Sequence, residues 1–202
     1  MQPNRQDYGL LIALGAVWGS SFLLIKLAVQ TIPPATVATG RIAIGAVVLL
    51  LIVAVRGHPW PRAPRAWLLL GIMGLVGNVI PFTLINWGEV RIESSLTATL
   101  MSTVPLVTIL LAPAFVGDEP ITSGKIIGVV LGMAGVAALI GPSALAGAHG
   151  ELLGQIAVTV ATLCYALNGL VARRLPQMPV EVISASALKR EAEKLSVRTS
   201  AR

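Results

Sequence analysis

The 202-residue chain is 55% apolar and only 12% charged, with 20 glycines and a formal net charge of +6. Soluble domains carry about 25% charged residues, so the polar side chains here are too few to coat a globule, in line with a mean hydropathy of +0.82. That composition excludes a disordered chain, a disulfide scaffold and an ordinary water-soluble enzyme, and points to a protein embedded in lipid.

A helix crossing about 30 Å of hydrocarbon at 1.5 Å per residue needs about 20 mostly apolar residues. Six stretches qualify: Tyr8–Gln30, Ala35–Val55, Ala66–Trp87, Ser94–Gly117, Ile126–Gly150 and Leu152–Ala172. Lipid offers the backbone no hydrogen-bond partner, so each is expected to be a helix. The expected fold class is all-α: a polytopic integral membrane helical bundle of about six transmembrane helices.

The first span carries Gly15 and Gly19 four residues apart, then the polar cluster Trp18-Gly-Ser-Ser-Phe22, then Lys26. A Pro33-Pro34 turn follows, and the second span carries Arg41. Lys26 precedes Pro33 by seven residues and Arg41 follows Pro34 by seven, which puts both cations roughly 10 Å below the turn. No acid lies inside a span drawn this way, while Glu89 and Glu93 fall in the next outer loop. The cations either snorkel outward or form an electropositive vestibule for anionic or zwitterionic solutes.

The third span repeats glycine at Gly71, Gly74 and Gly77 and holds Asn78, Pro81, Thr83 and Asn86, with Trp87 as a belt residue at the outer interface. Its amides either bond between helices or line a solute path. In the fourth, Pro105 cannot donate to the carbonyl of Met101, and the hydroxyls of Thr99, Ser102 and Thr103 stand near enough to satisfy loosened backbone. This bend is either a fixed kink or one that shapes a cavity and flexes. The fifth repeats Gly124, Gly128 and Gly132, and glycines at such spacing let helices pack closely. The sixth holds Cys164, Tyr165 and Asn168. A lone cysteine inside a span argues against a disulfide or a metal cluster, and no cofactor is expected.

Orientation follows from Lys and Arg beside short loops. A cytoplasmic N-terminus puts Arg5, Arg56, Arg62, Arg65, Lys125, Arg173 and Arg174 inside and leaves Arg91 outside. Six spans then return the C-terminus to the cytoplasm. The positive charge is accounted for by topology, so nucleic acid is not an expected partner; the lipid bilayer is.

Laying the first and sixth spans side by side with a shift of 147 residues superposes Trp18 on Tyr165, Ser21 on Asn168 and Lys26 on Arg173. Five spans separate the copies, so the second runs the opposite way across the membrane. Inverted repeats of this kind mark transporters, whose solute site lies near the midplane between repeats.

Trp18-Gly-Ser-Ser-Phe22 with Lys26, Pro34 and Arg41, then Asn86-Trp-Gly, Ala98-Thr-Leu-Met-Ser-Thr-Val-Pro105-Leu, Gly117-Asp-Glu119 and Gly128-Val-Val-Leu-Gly-Met-Ala-Gly135-Val together resemble the EamA family of the drug/metabolite transporter superfamily. The resemblance runs over roughly residues 8 to 179. It implies a carrier, often an exporter, that moves small metabolites or drugs across the cell inner membrane. It also implies ten spans in two inverted five-helix units that rock around a central site. On this basis residues 1–7 are a cytoplasmic N-terminus, 8–141 the five-helix unit, 150–174 the first helix of a second unit, and 175–202 a polar cytoplasmic tail. Glu119 matches an acidic position of the family and also reads as a cytoplasmic turn. The residues expected to line the cavity are Trp18, Ser21, Lys26, Arg41, Asn78, Ser102, Pro105, Tyr165 and Asn168.

The chain is short for the resembling family, which suggests a truncated unit. Such a unit either works as a homodimer or with a second half-transporter, or it is a membrane fragment without transport. An intramembrane enzyme is the third class, and it lacks a cluster of catalytic groups: His58 and His149 fall in loops on opposite sides.

Overall fold

The structure is a computed structural model that describes residues 5–57, 64–115, 122–145 and 149–173. Every regular element among them is helical. In chain order they are α1 (Arg5–Ala28), α2 (Pro34–Arg56), α3 (Pro64–Gly74), a π-helical turn (Leu75–Val79), α4 (Ile80–Glu89), α5 (Ser94–Met101), α6 (Val104–Phe115), α7 (Ser123–Leu145) and α8 (His149–Ala172). Among the described residues, five helical segments are long and apolar enough to cross a membrane: Asp7–Ala28, Pro34–Arg56, Ala66–Glu89, Ser94–Phe115 and Gly150–Ala172. The apolar part of α7, Ser123–Leu139, is shorter.

Local chemistry explains where the helices stop. Pro34 opens α2, where a missing N–H costs nothing, and Gly57 closes it with φ of 64°, a left-handed geometry that glycine adopts without a Cβ clash. The third span is broken in the middle. Pro81 has no N–H for the carbonyl of Gly77, and just before it the N–H of Ile80 reaches back five residues to Leu75. The fourth span is broken at Ser102 and Thr103, immediately before Pro105. There the Ser102 hydroxyl donates to the carbonyl of Thr99 at 2.7 Å and the Thr103 hydroxyl to that of Leu100 at 2.7 Å. Hydroxyl support for loosened backbone is therefore present, but on the carbonyls two and one residues before that of Met101.

Helix α8 occupies the middle of the packing, with its largest interface on α4 and its next on α6. A buried cluster of Phe22, Ile25, Ile85, Ile92, Met101, Val158 and Ala161 ties α1, α4, α5 and α8 together. A second centre joins Ile42 and Ala46 of α2 to Val79 and Phe82. Residues 7–20 of α1 are exposed, as is most of α7, so these two helices form the margins.

Three expectations are corrected. Glu89 is not in an outer loop: it ends α4, is fully buried, and so puts an acid inside a span that the sequence closed at Trp87. His149 and Gly150 begin the sixth helix rather than end the fifth. Gly15, Gly19, Gly124 and Gly128 do not serve close packing, because a Cβ at any of them would meet nothing within 4 Å. They lie on the marginal helices, Gly15 and Gly19 on an open groove beside α5 and α6. Close approach does occur at Gly77 and Gly132, one member of each later repeat, and also at Gly88 and Gly154. The expectations about Glu119, His58 and the 175–202 tail fall outside the described residues.

Candidate functional site

Lys26 defines the end of the bundle where α1, α4 and α5 meet. Its ammonium Nζ donates to the carbonyl oxygens of Glu89 and Ile92, both at 2.8 Å. These are carbonyls left open where α4 runs out, and a cation is the favoured partner for a helix C-terminus. The Ser94 hydroxyl adds a bond to the carbonyl of Phe22 at 3.3 Å, which pins the start of α5 to α1. Arg91, in the same turn, lies over the Trp87 ring at 3.5 Å and donates to the Trp87 carbonyl at 2.9 Å. Lys26 therefore neither snorkels nor lines a cavity; it closes a helix.

Inside this closed end lies a cavity of about 230 Å³. Helix α1 contributes Trp18, Ser21, Phe22 and Ile25, α2 contributes Arg41, and the π-helical turn contributes Asn78. Phe82 and Ile85 come from α4, Met101 from α5 and Tyr165 from α8. The polar members are few and the walls largely aromatic, which is the usual make-up of a small-molecule site. The Arg41 guanidinium stands over the Phe82 ring at 4.4 Å, an orientation that holds the cation without consuming its hydrogen-bond donors. Ser21 differs: its hydroxyl already donates to the carbonyl of Val17 at 2.9 Å, leaving its oxygen lone pairs for a guest.

A second, wider hollow of about 760 Å³ runs between α1 and the broken α5–α6 helix. Gly15, Trp18, Gly19, Met101, Ser102 and Pro105 are among its walls. Trp18 and Met101 belong to both spaces, so they form the partition between them. The groove is nearly all apolar and opens on the marginal face of α1.

The nine residues singled out from the sequence thus separate into four groups. Trp18, Ser21, Arg41, Asn78 and Tyr165 converge on the inner cavity. Ser102 and Pro105 stand on the groove, with Trp18 shared. Lys26 caps α4. Asn168 packs on the bare backbone of Gly77, where any Cβ would overlap its amide. Sequence reasoning missed Phe22, Ile25, Phe82, Ile85 and Met101, because apolar residues in an apolar span carry no mark of the side they face. It also missed the buried Glu89, although its place beside a Trp-Gly pair was a usable signal.

Residues 8–141 match the model of the EamA-like transporter family. An uncharacterized transporter of Archaeoglobus fulgidus is 29% identical over 151 residues, which is 74% of this chain and 51% of that protein. The inner membrane transporter YedA of Escherichia coli K12, also uncharacterized, is 26% identical over 180 residues, 88% of this chain and 56% of that one. This chain therefore spans about half the length of the curated relatives it matches. A chain in a solved crystal structure superposes with a TM-score of 0.60 at 22% identity, covering 89% of this chain and 64% of that one, which supports the helical fold.

Proposed function

The chain belongs to the EamA-like transporter family, and from that premise we propose that it carries small molecules across a membrane through the cavity between α1, α2, α4, α5 and α8. The observation that carries this reading is the convergence of Arg41, Asn78 and Tyr165 with three further aromatic rings on one hollow inside an apolar bundle. A guanidinium stacked on an aromatic ring, facing an amide and a phenol, suits a solute with a carboxylate or other anionic group on an apolar body. The inner membrane is the proposed location, in keeping with the name of the relative YedA. The proposed orientation is cytoplasmic N-terminus, with Arg56, Lys125 and Arg173 at cytoplasmic ends. We assign residues 8–141 to one five-helix unit and α8 to the start of an inverted second one. No enzymatic step is part of this reading.

Because the chain spans half the length of its relatives, a second reading stands beside the first: the unit transports only when paired with a second copy or with further helices. Flux in proteoliposomes separates the two. The chain alone and the chain extended by four further helices of a full-length relative are compared for movement of carboxylate-bearing solutes in either direction. Flux from the chain alone supports an autonomous carrier. Flux only from the extended protein supports the paired reading, and no flux from either removes both.

A further inference from the structure

Three side-chain oxygens on one face of α4 are buried with no hydrogen-bond partner: Oδ1 of Asn86 and both carboxylate oxygens of Glu89. Both residues are 0% exposed. They stand three residues apart, so their side chains are neighbours on the helix surface. Buried acceptors left unpaired are costly, and a bare carboxylate inside a membrane bundle more so. Asn86 Nδ2 donates to the carbonyl of Pro34 at 3.2 Å, so turning the amide over would give up that bond. That bond fixes the amide oxygen as the free end.

By sequence, the elements packed around α4 carry Arg5, Asp7, Tyr8 and Lys26 (α1), Arg41 and Arg56 (α2), and His149, Glu151, Cys164 and Tyr165 (α8), with Arg91 and Glu93 in the turn that follows α4. Lys26 and Arg41 act on Glu89 electrostatically. Neither gives its carboxylate a hydrogen bond: Lys26 donates to main-chain carbonyls and Arg41 lies over Phe82. The unmet need is for a hydrogen rather than for more positive charge. One hydrogen placed between the two residues would satisfy the amide and one carboxyl oxygen together.

We propose that Glu89 and Asn86 form a proton-binding site. The Glu89 carboxylate takes one proton from a hydronium ion of the solvent, whose O–H bond breaks to leave water; the new carboxyl O–H donates to Oδ1 of Asn86. The charge of the buried group made by Lys26, Arg41 and Glu89 rises by one in the process. The waiting amide oxygen is a partner for the protonated carboxyl, while the nearby cations suit the bare carboxylate. That balance makes the proton exchangeable. Arg41 lines the cavity and acts electrostatically on Glu89, so a carrier built this way can link solute to proton movement; the link rests on the transport reading, and the proton site itself does not.

Isotope-difference infrared spectroscopy tests the site in the whole chain reconstituted in vesicles, with no solute present. In the unmutated protein, carboxyl-13C glutamate should reveal a protonated-carboxyl stretching band at neutral pH that disappears as the pH is raised. Glu89→Gln should abolish it, and Asn86→Ala should move its frequency. Absence of the band at neutral pH, failure of alkali to remove it, its survival in Glu89→Gln, or a frequency indifferent to Asn86→Ala would overturn the proposal. The labelled unmutated protein decides the first two points even if a variant fails to insert. Flux is read separately: a band without flux removes the transport reading and keeps the site, and flux without a band does the reverse.

Discussion

Gly88 on α4 and Gly154 on α8 meet backbone to backbone. A Cβ added at Gly88 would lie 3.0 Å from the carbonyl oxygen of Gly154, and one added at Gly154 would lie 3.2 Å from that of Gly88. This contact lies in the largest helix interface among the described residues, and it sits one residue from the buried Glu89. It sets the distance between the helix that carries the proposed proton site and the helix that carries Tyr165.

Substitution at this crossing should therefore be costly. Gly154→Val forces α8 away from rigid backbone, and overpacking of this kind costs about 1–3 kcal/mol. Thermal unfolding in detergent should show Gly154→Val and Gly88→Val clearly destabilised. Gly15→Ala and Gly128→Ala, where a Cβ meets nothing within 4 Å, should be neutral or slightly stabilising. Equal effects at all four positions would contradict the packing described.

Lys26 makes two bonds of 2.8 Å to carbonyls at the end of α4. Lys26→Met keeps the length of the side chain and loses both. A hydrogen bond to a charged group is worth roughly 1.5–3 kcal/mol, so the variant should unfold at lower denaturant or temperature by about that much. Lys26→Arg should recover part of the loss. Accelerated hydrogen exchange at the first turn of α5, read by mass spectrometry, would locate the damage.

Arg41 should matter for solute rather than for folding. Arg41→Gln removes the cation from the cavity wall and leaves a polar side chain of similar reach. Loss of one charge-assisted contact corresponds to about tenfold in apparent affinity for an anionic solute. Proteoliposome flux should fall for carboxylate-bearing solutes and hold for neutral ones, with melting temperature unchanged. A matching fall for both classes would remove Arg41 from solute recognition.

Pro105→Ala restores a backbone donor for the Met101 carbonyl, and the break at Ser102 and Thr103 should close into continuous helix. Spin labels near Ser95 and Ala114, read by pulsed electron resonance, should report a changed separation of the two ends of that span. The groove shared by Pro105 and Trp18 should change shape with it. An unchanged separation would mean that the surrounding helices, not Pro105, impose the bend.

The apolar helices were legible because hydropathy and length answer the same physical question, namely whether a segment can cross lipid with its backbone satisfied. The cavity was legible only through residues that look misplaced in lipid: Arg41, Asn78 and Tyr165 stood out by polarity, whereas Phe82 and Met101 did not. Lys26 and Glu89 show where composition misleads. A charge near a span end suggests a loop or a snorkel, and only the packing shows that one caps a helix while the other is enclosed. Gly88 and Gly154 were passed over since each stands alone, without the four-residue spacing that drew attention to open positions such as Gly15 and Gly19.

The wide turn at Leu75–Val79 has a consequence beyond its own residues. An α-helix advances about 100° per residue, so one residue of surplus rotates everything downstream by that angle. Phe82, Asn86 and Glu89 owe their heading to it. A single-residue deletion within 75–79 would leave the span hydrophobic, helical and nearly as long, yet it would aim Glu89 at a different neighbour. That stretch works as a phase setting: it fixes which meridian of the helix is the inside, and a change of count there would be more disruptive than many changes of residue.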